Sequence, residues 1–362
     1  MNKLPLLATL LIVPACLAAM PGAAAPGGAA RGGGAAAATT SRPAGSPILG
    51  TPTRLTGNFQ FTEGATSDKN GDIYFVDQNN DAIMKWEFDK TSADPLKGTL
   101  TTFMKPAGRS NGMSFDNDGN LISCADEKNE LWLIPAPFPP LPAGATSFKA
   151  SDLKDKITVL VKTYDPAAKK LNPETGGKYL NGPNDVFVIP AGPQKGGMYL
   201  TDPLFARQWW SGFRTNQSQM PGNYVFFLSP DHKSLTPVIT NFRTPNGIIG
   251  TPDGKTLYVS DMNGNKTNSY TIKDDGTLAD EKLICNAGSD GMTIDSDGNI
   301  YTTVGNARTG LQIWSKEGKL LDSIPVGCTN CCFGGPKGDV LFITAQTQIW
   351  AVQMKTHKVG PS

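Results

Sequence analysis

The sequence predicts an all-β protein: a six-bladed β-propeller with four-stranded blades. Two observations lead to this fold class. A turn that contains glycine, followed by a strand, occurs six times along the chain, and Gly and Pro together supply 40 and 28 of the 362 residues. Such a composition favours many turns over a helical bundle. Six units of roughly 52 residues each match a propeller blade of four strands with its connections. A β-sandwich is the alternative all-β fold, but it would not explain six matching units.

The six copies share a turn in which Gly supplies the positive φ of a tight hairpin, followed by an apolar run typical of a strand. The copies are residues 70–77, 118–124, 196–202, 253–261, 297–303 and 337–344. Most of them continue into a polar turn and another strand. The third copy is followed instead by an interrupted hairpin, residues 203–222. Long loops on a repetitive scaffold tend to carry specificity, so we expect this segment to form part of a binding site.

The N-terminus is typical of an export signal. Lys3 precedes a short apolar stretch over residues 4–13, which is too short to span a bilayer stably. We expect a signal peptide over residues 1–25, a flexible Ala/Gly/Pro-rich tether over 26–47 and the propeller over 48–362. Cleavage before Cys16, with a lipid anchor on that cysteine, is the alternative to ordinary cleavage. Either way, we expect a periplasmic or secreted protein without a membrane span.

Charge and histidine content exclude several function classes. With 33 Lys+Arg against 32 Asp+Glu, the net charge is +1, which provides no broad basic surface for nucleic acid. The two histidines, His232 in a turn-like run and His357 near the C-terminus, argue against a His-dependent nucleophile. The chain has no G-x-S-x-G, H-E-x-x-H, P-loop or G-x-G-x-x-G context.

Five cysteines follow Cys16, and their spacing disfavours a zinc site. Cys328, Cys331 and Cys332 are close together, but no second Cys pair and no His follows in a zinc-binding pattern. We therefore interpret the cysteines as buried, apolar-like thiols. One disulfide stays open as an alternative in an exported protein.

A polar residue stands eight positions before the marker glycine of five units, at the point where the innermost strand begins. Equivalent positions of all blades lie at the same radius and height, so these side chains would form a ring at one mouth of the central channel. The ring consists of Glu63, Asn111, Asn184, Asn246, Asp290 and Asn330, with Asn184 assigned by local pattern because the third turn is longer. Oxygen ligands of this kind suit Ca²⁺ or Mg²⁺. The alternative is that these residues are ordinary loop turns before strands.

Residues 61–352 resemble the senescence-marker-protein (regucalcin), gluconolactonase and luciferin-regenerating-enzyme family of six-bladed propellers. The matching motifs are Glu63-Gly64, Asn111-Gly112-Met113, Pro183-Asn184-Asp185-Val186, Thr201-Asp202-Pro203, Pro245-Asn246-Gly247, Asp290-Gly291-Met292 and Cys331-Cys332-Phe333-Gly334-Gly335. Two positions depart from the family pattern. Cys124-Ala125-Asp126 stands where bacterial gluconolactonases often carry Cys-Glu-His, and Gly182 stands where regucalcin has an arginine.

The resemblance implies lactone hydrolysis with one divalent cation in the channel, Ca²⁺ first, with Mg²⁺, Mn²⁺ or Zn²⁺ as alternatives. It implies Glu63, Asn246 and Asp290 as metal ligands, and Asn184 as a residue that contacts the metal, its water or the substrate. We expect Asp290 to accept the proton of the attacking water, with Glu63 as the second candidate. The residues expected to contact substrate are Asn111, Asp126, Asp185, Arg207, Trp209 and Trp210.

The sequence thus supports two functions from different classes. The first is an exported, metal-dependent lactonase with a small-molecule lactone as its substrate. The second is a non-catalytic, extracytoplasmic binding propeller in which the metal is structural. Trp209 and Trp210 are compatible with both, either as pocket walls or as core residues.

Overall fold

Antiparallel strands make up most of the chain that the structure describes. The structure is a computed structural model and describes residues 42–153, 156–305 and 308–360. The predicted signal peptide, Cys16 and residues 26–41 of the predicted tether lie outside the described residues. In chain order the first strands are β1 (Thr53–Ser67), β2 (Ile73–Asp77), β3 (Ala82–Phe88), β4 (Gly98–Met104), β5 (Ser110–Phe115), β6 (Leu121–Ala125), β7 (Glu130–Ile134), β8 (Thr158–Val161), β9 (Tyr164–Asp165), β10 (Lys170–Leu171), β11 (Val186–Val188) and β12 (Met198–Asp202). They are followed by β13 (Tyr224–Leu228), β14 (Leu235–Ile239), β15 (Pro245–Gly250), β16 (Thr256–Asp261), β17 (Lys266–Ile272), β18 (Leu278–Cys285), β19 (Met292–Ile294), β20 (Ile300–Thr302), β21 (Leu311–Trp314), β22 (Leu320–Ile324), β23 (Asn330–Gly334) and β24 (Val340–Gln353). Short 3₁₀ helices span Gln78–Asn80, Ala150–Leu153 and Gln208–Trp210.

The marker turns of the sequence join the first two strands of the repeat units. Gly71 lies between β1 and β2 and Gly119 between β5 and β6, both at φ 82°. Residues with a Cβ rarely adopt this left-handed conformation, which explains why glycine stands in the turns. The paired strands run antiparallel, so the hairpins predicted from these turns are present.

Most of the sheets contain four consecutive strands. In the described part of the chain, β5–β8, β11–β14, β15–β18 and β19–β22 each form a four-stranded sheet in which every strand is bonded to the next. The short strands β9 and β10 form a two-stranded sheet. These four sheets confirm the predicted blade of four strands.

The first and last units do not form two separate four-stranded sheets, so the sheets do not reproduce the predicted number of six four-stranded blades. They share one six-stranded sheet in the order β23-β24-β1-β2-β3-β4. The first half of β24 pairs with β23 and its second half pairs with the start of β1. The end of β1 then pairs with β2. Hydrogen bonding therefore continues through β24 and β1, and this continuity joins the two ends of the chain in one sheet.

The sheets are arranged around an axis, which gives an all-β propeller fold. The first strands of successive units contact one another in a closed cycle from β1 to β5, β11, β15, β19, β23 and back to β1. Apolar side chains fill the spaces between neighbouring sheets; one such cluster joins Leu131 and Val161 to Leu200 and Phe226. Because a sheet has neighbours on both faces, every residue of β2 and of β12 is buried. We therefore expect the polar functional groups to lie in the channel and in the loops at its ends.

The five cysteines after Cys16 are free and buried in the structure. Burial is the first cause that raises the pKa of the Cys331 thiol well above its ordinary value. This burial agrees with the interpretation, made from the sequence, that the cysteines pack as apolar-like thiols. In the described part of the chain, no helix has the length and apolar character that a membrane crossing requires.

Candidate active site

Irregular pairing at the start of the inner strands directs the ring residues towards the channel. The register shifts between Glu63 and Thr66 in β1, and between Ser110 and Met113 in β5, where Asn111 lies. The same shift occurs in β15 around Asn246. A bulge at such a position leaves one residue outside the regular ladder and re-aims its side chain. The shared offset in the sequence therefore corresponds to a shared backbone irregularity.

Glycines that follow the ring residues allow adjacent units to approach closely. A Cβ on Gly64 would come within 3.0 Å of the backbone of Asn111, and a Cβ on Gly291 would do so with the side chain of Asn330. Gly112 N–H donates a hydrogen bond of 2.7 Å to the carbonyl oxygen of Asn184. These contacts place neighbouring ring residues side by side around the axis, as the sequence predicts.

Amide side chains of the ring donate to its carboxylates. Asn330 Nδ2 donates to Glu63 Oε2 at 2.9 Å, and Asn246 Nδ2 donates to Asp290 Oδ1 at 2.8 Å. Within the described residues, the Oδ1 atoms of Asn246 and Asn111 are buried and have no hydrogen-bond partner. A buried acceptor without a donor is costly in a protein, and a cation would satisfy it.

Three carboxyl groups are buried together in the site, and burial raises the pKa of each. Burial, and then the charges of Asp290 and Asp185, raise the pKa of Glu63 well above its ordinary value. Burial and the charge of Asp290 do the same for the pKa of Asp185. Burial raises the pKa of Asp290 to about 6, against the hydrogen bond from Asn246 and the charge of Arg207. A cation among these carboxyl groups would favour their charged forms and oppose these shifts.

The donor set fits a hard cation held by carboxylates and amides together. Within residues 42–153, 156–305 and 308–360, no group of three His, Cys, Asp or Glu side chains could hold a metal ion on its own. A cation would therefore need amide oxygens as well. Glu63, Asn111, Asn184 and Asp290 line one cavity of about 150 Å³ together with Phe61, Phe205, Arg207 and Met262. Asn246 contacts this group through Asp290.

Asp185 and Asn330 line a different cavity from the one that Glu63 and Asp290 share. This second cavity, of about 130 Å³, is formed by the inner strands and bordered by Lys358 near the C-terminus. Asn330 still contacts both sides, because its Nδ2 lies 2.9 Å from Glu63 Oε2 and 3.4 Å from Asp185 Oδ1. The contact of Asp185 with substrate stays a prediction, and in this structure Asp185 lines the second cavity and not the one that Glu63 and Asp290 share.

The segment after β12 forms one wall of the cavity through Phe205 and Arg207. Arg207 Nε donates to Asp126 Oδ2 at 2.7 Å. Gln78 Nε2 donates to the same carboxylate oxygen at 3.3 Å. Burial raises the pKa of Asp126 to about 6, although Arg207 opposes the shift. The pair Asp126 and Arg207 thus fixes this wall against the second unit.

The two adjacent tryptophans have different environments. Trp210 is buried, and its Nε1–H donates to the Asp126 carbonyl oxygen at 2.7 Å. Trp209 lies between two guanidinium groups, with its ring centre 4.8 Å from Arg109 Cζ and 5.4 Å from Arg207 Cζ. Trp210 is therefore a packing residue of the wall, whereas Trp209 forms a partly exposed aromatic plate beside Arg207.

Sequence reasoning missed two of three residues near the cavity that share one position in their units. Gln78, Asp126 and Met262 each follow directly after the second strand of their unit, namely β2, β6 and β16. Of these, the sequence predicts only Asp126, through its place in a family motif. The shared position after the second strand is the signal that could have found all three. Phe61 and Phe205, which also line the cavity, share no such repeat position.

Comparison with known proteins identifies the family to which this chain belongs. Residues 61–347 match the family model described as the SMP-30/Gluconolactonase/LRE-like region. The chain is 28% identical over 325 residues to a gluconolactonase of Zymomonas mobilis, a match that covers 83% of this chain and 81% of that protein. It is 29% identical over 250 residues to the lactonase drp35 of Staphylococcus saprophyticus, covering 59% of this chain and 68% of that protein.

Solved structures show a similar fold. The structure of a regucalcin from Agrobacterium tumefaciens, described as a calcium-binding protein, superposes with a TM-score of 0.57 at 15% identity. The superposition covers 87% of this chain and 97% of that chain. At this level of identity the likeness concerns the fold alone.

Proposed function

The chain belongs to the SMP-30/gluconolactonase/LRE-like family, and on that premise we propose that it is a lactonase that uses one divalent cation, Ca²⁺ first. The observation that carries the proposal is the unpartnered Oδ1 of Asn246 beside the carboxyl groups of the ring. The names of the relatives in Zymomonas mobilis and Staphylococcus saprophyticus support lactone hydrolysis. The donor set supports the cation, and the Agrobacterium tumefaciens protein, by its description, binds calcium.

We assign the cation to Glu63, Asn184, Asn246 and Asp290. A bound cation would polarise the lactone carbonyl and stabilise the negative charge that develops on its oxygen. Asn330 holds Glu63 in place by its hydrogen bond of 2.9 Å. Asn246 holds Asp290 in the same way at 2.8 Å. These bonds fix the carboxylates before substrate enters, which is the condition for efficient electrostatic stabilisation.

Asp290 is the residue to which we assign the proton of the attacking water. Its side chain lines the cavity, and its Oδ1 accepts the bond from Asn246 while Oδ2 has no partner among the described residues. Water attacks the carbonyl carbon and loses a proton to Asp290. The ring C–O bond then breaks, and the ring oxygen takes up a proton to become a hydroxyl group. Glu63 is the second candidate: its carboxylate accepts two hydrogen bonds, from Gly64 and Asn330, whereas that of Asp290 accepts one, from Asn246.

We also infer that the propeller has six blades. The closed cycle of six inner strands supports this number. In this interpretation the sixth blade consists of β23, the two halves of β24 and the first half of β1, whereas the second half of β1 begins the first blade. A blade completed by both ends of the chain closes the ring without an exposed sheet edge.

Export remains part of the proposal on the basis of sequence. Lys3 and the apolar residues 4–13 support a signal peptide. We propose a periplasmic or secreted enzyme, with lipidation of Cys16 as the alternative form. Fractionation of cells that express the full chain, with and without Cys16→Ala, would distinguish soluble export from membrane anchoring.

A lactone panel with and without chelator tests the enzymatic proposal. The full chain is expressed and exported, then assayed on D-glucono-1,5-lactone, D-glucono-1,4-lactone and γ-butyrolactone. Activity should disappear in EDTA and return when Ca²⁺, Mg²⁺, Mn²⁺ or Zn²⁺ is restored, most strongly with Ca²⁺. Calcium binding without hydrolysis of any lactone would favour the non-catalytic binding propeller. Full activity in excess chelator would overturn the role of the cation.

A further inference from the structure

The cavity above the ring contains one guanidinium group that is only partly used by the protein. Arg207 Nε donates to Asp126 Oδ2 at 2.7 Å. The two terminal nitrogens of Arg207 have no hydrogen-bond partner in the part of the chain that the structure describes. The side chain is nevertheless mostly buried, with 19% of its surface exposed. Its free N–H groups therefore stand at the cavity that Glu63 and Asp290 also line.

The surroundings hold Arg207 in one orientation. Asp126 is 2% exposed at its side chain and also accepts a hydrogen bond from Gln78. The Asp126 carbonyl accepts the indole N–H of the buried Trp210 at 2.7 Å, which ties the carboxylate to the same loop. The rings of Phe205 and Trp209 lie 5.6 and 5.4 Å from Arg207 Cζ. A guanidinium held on one edge and stacked on its faces is prepared to bind with the other edge.

The charge of Arg207 extends into the site. Arg207 lines the same cavity as Glu63 and Asp290. Asp126 pairs with Arg207 through Nε, so the terminal N–H groups are not used by this ion pair. Two parallel N–H groups of an arginine match the two oxygens of a carboxylate. A neutral hydroxyl group would leave part of this donor set unpaired, which is costly in a cavity shielded from water.

We propose, on the basis of the proposed lactonase activity, that the preferred substrate is a lactone that carries a free carboxylate, and that Arg207 binds this carboxylate through its terminal N–H groups. Arg207 is then a specificity-determining residue. The reacting carbonyl lies at the ring, and the carboxylate lies on the side of the Pro203–Gly222 segment. Trp209 covers the guanidinium on its outer face.

Two lactones that differ only at one group provide the test. D-Glucaro-1,4-lactone has a carboxylate where D-glucono-1,4-lactone has a hydroxymethyl group. With the calcium-loaded full chain we expect kcat/KM to be at least about tenfold higher for the acidic lactone. Arg207→Gln should reduce kcat/KM on the acidic lactone by about 10- to 100-fold, mainly through KM, because a charge-assisted pair is lost. On the neutral lactone the loss should stay below about threefold.

Matched variants separate this role from a general effect of charge. Arg109→Gln removes the other guanidinium over the Trp209 ring, which lies 4.8 Å from the ring centre and donates through Nη1 to the Asn79 carbonyl at 2.8 Å. We expect the ratio between the two lactones to stay unchanged in this variant. Arg207→Lys keeps the positive charge but lacks the two parallel N–H donors. This variant should keep part of the preference for the acidic lactone. Calorimetric titration with Ca²⁺ should give an affinity in Arg207→Gln that is no lower than that of the wild type, because the substitution removes a positive charge from the cavity that Glu63 and Asp290 line.

Each other outcome assigns a different role to Arg207. An equal loss of kcat on both lactones would place Arg207 at the reacting carbonyl and overturn the inference, while the proposed lactonase activity would stand. A stronger Ca²⁺ affinity in Arg207→Gln without a change of selectivity would make Arg207 a counter-charge for the ring, because the positive charge that competes with the cation is gone, and would also overturn the inference. Calorimetric binding of both lactones to the wild type and Arg207→Gln is the readout that does not depend on turnover. If the wild type hydrolyses neither lactone but binds the acidic one through Arg207, the lactonase proposal fails and the carboxylate site stands.

Discussion

Asn330 donates a hydrogen bond of 2.9 Å to Glu63 Oε2, although 267 residues separate the two in the chain. The bond connects the last repeat unit to the first, at the point where the cycle of inner strands closes. It has two consequences for the site. It engages one oxygen of Glu63, and it adds a side-chain contact to the sheet in which β24 and β1 join the chain ends. The same pair therefore links the first unit to the last and contacts a proposed metal ligand.

Removing the amide of Asn330 should weaken cation binding without removing a ligand. In Asn330→Ala we expect the affinity for Ca²⁺ to fall by about 10- to 100-fold, the range seen when a partner that orients a ligand is lost. Calorimetric titration of the variant and of an exposed-turn control, Asp253→Asn, measures the difference. Wild-type affinity in Asn330→Ala would show that the bond to Glu63 does not orient the site.

Replacing Asp290 tests the proposed ligand and proton acceptor. Asp290→Ala should abolish metal-dependent activity and strongly weaken Ca²⁺ binding, because a hard cation loses an anionic ligand. The fold should persist, since the side chain lies at the channel cavity and its truncation opens no apolar core. Lactone assays at saturating Ca²⁺, with circular dichroism as the fold control, measure both effects. Retained activity at saturating substrate and Ca²⁺ would contradict the role.

The close approach of two units at Gly112 predicts a large effect of one added methyl group. A Cβ on Gly112 would come within 3.0 Å of the Asp185 side chain and of the Asn184 backbone. Gly112→Ala should lower the unfolding free energy by about 1 to 3 kcal/mol through overpacking and displace Asn184 from its position. Gly50→Ala is the matched control, because its Cβ would make only ordinary contacts of 3.4 Å. Equal urea midpoints for the two variants would contradict the tight contact between units.

The ring residues could be predicted from the sequence because the repeat spacing reflects the geometry of each unit separately. An offset counted from the marker glycine located Glu63, Asn111, Asn246, Asp290 and Asn330, and the structure brings them together with Asn184 around one axis. Equivalent positions of a repeat fold lie at equivalent places, so no knowledge of distant contacts was needed. Membership of the family, predicted from the same motifs, is confirmed by the match over residues 61–347.

Contacts between units could not be read from spacing. Arg207 and Asp126 are 81 residues apart, and their pairing depends on how the Pro203–Gly222 segment packs against the second unit. The six-stranded sheet depends on pairing between β1 and β24, which lie at opposite ends of the described chain. A local repeat signal marks the hairpin turns but carries no information on which strand the chain ends will join.

Protonation of Asp126 should make part of the stability depend on pH. Burial raises the pKa of Asp126 from 3.8 to about 6 in the folded protein. Between these values the folded protein binds more protons than the unfolded chain, so this contribution to the unfolding free energy falls as pH rises. The wild type should therefore gain stability relative to Asp126→Asn, on the order of 1 to 3 kcal/mol, when pH is lowered from 7.5 to 4.5.

Urea titrations of both proteins in chelator, at pH 4.5, 6 and 7.5, measure this difference. The comparison cancels the titration of the ring carboxyl groups, because both proteins contain them. Arg207→Gln provides a further check: without the guanidinium, the same window should move to higher pH. A difference that grows as pH rises would instead identify Asp126 as a carboxylate whose pKa is lowered by its ion pair.

The different environments of Trp209 and Trp210 predict opposite effects of two neighbouring substitutions. Trp210 is 1% exposed and donates to the Asp126 carbonyl, so Trp210→Ala should lower the unfolding free energy by about 3 to 5 kcal/mol. Trp210→Phe retains an aromatic ring and should cost less. Trp209 is partly exposed between two guanidinium groups, so Trp209→Ala should change stability by no more than about 1 kcal/mol but raise KM for the best lactone found. Neither Trp209→Ala nor Trp210→Phe should change Ca²⁺ affinity.

Urea unfolding, steady-state kinetics and calcium titration of the three variants measure these effects together. Wild-type kinetics in Trp209→Ala would remove Trp209 from the specificity wall, and a stable Trp210→Ala would contradict the packing role of Trp210.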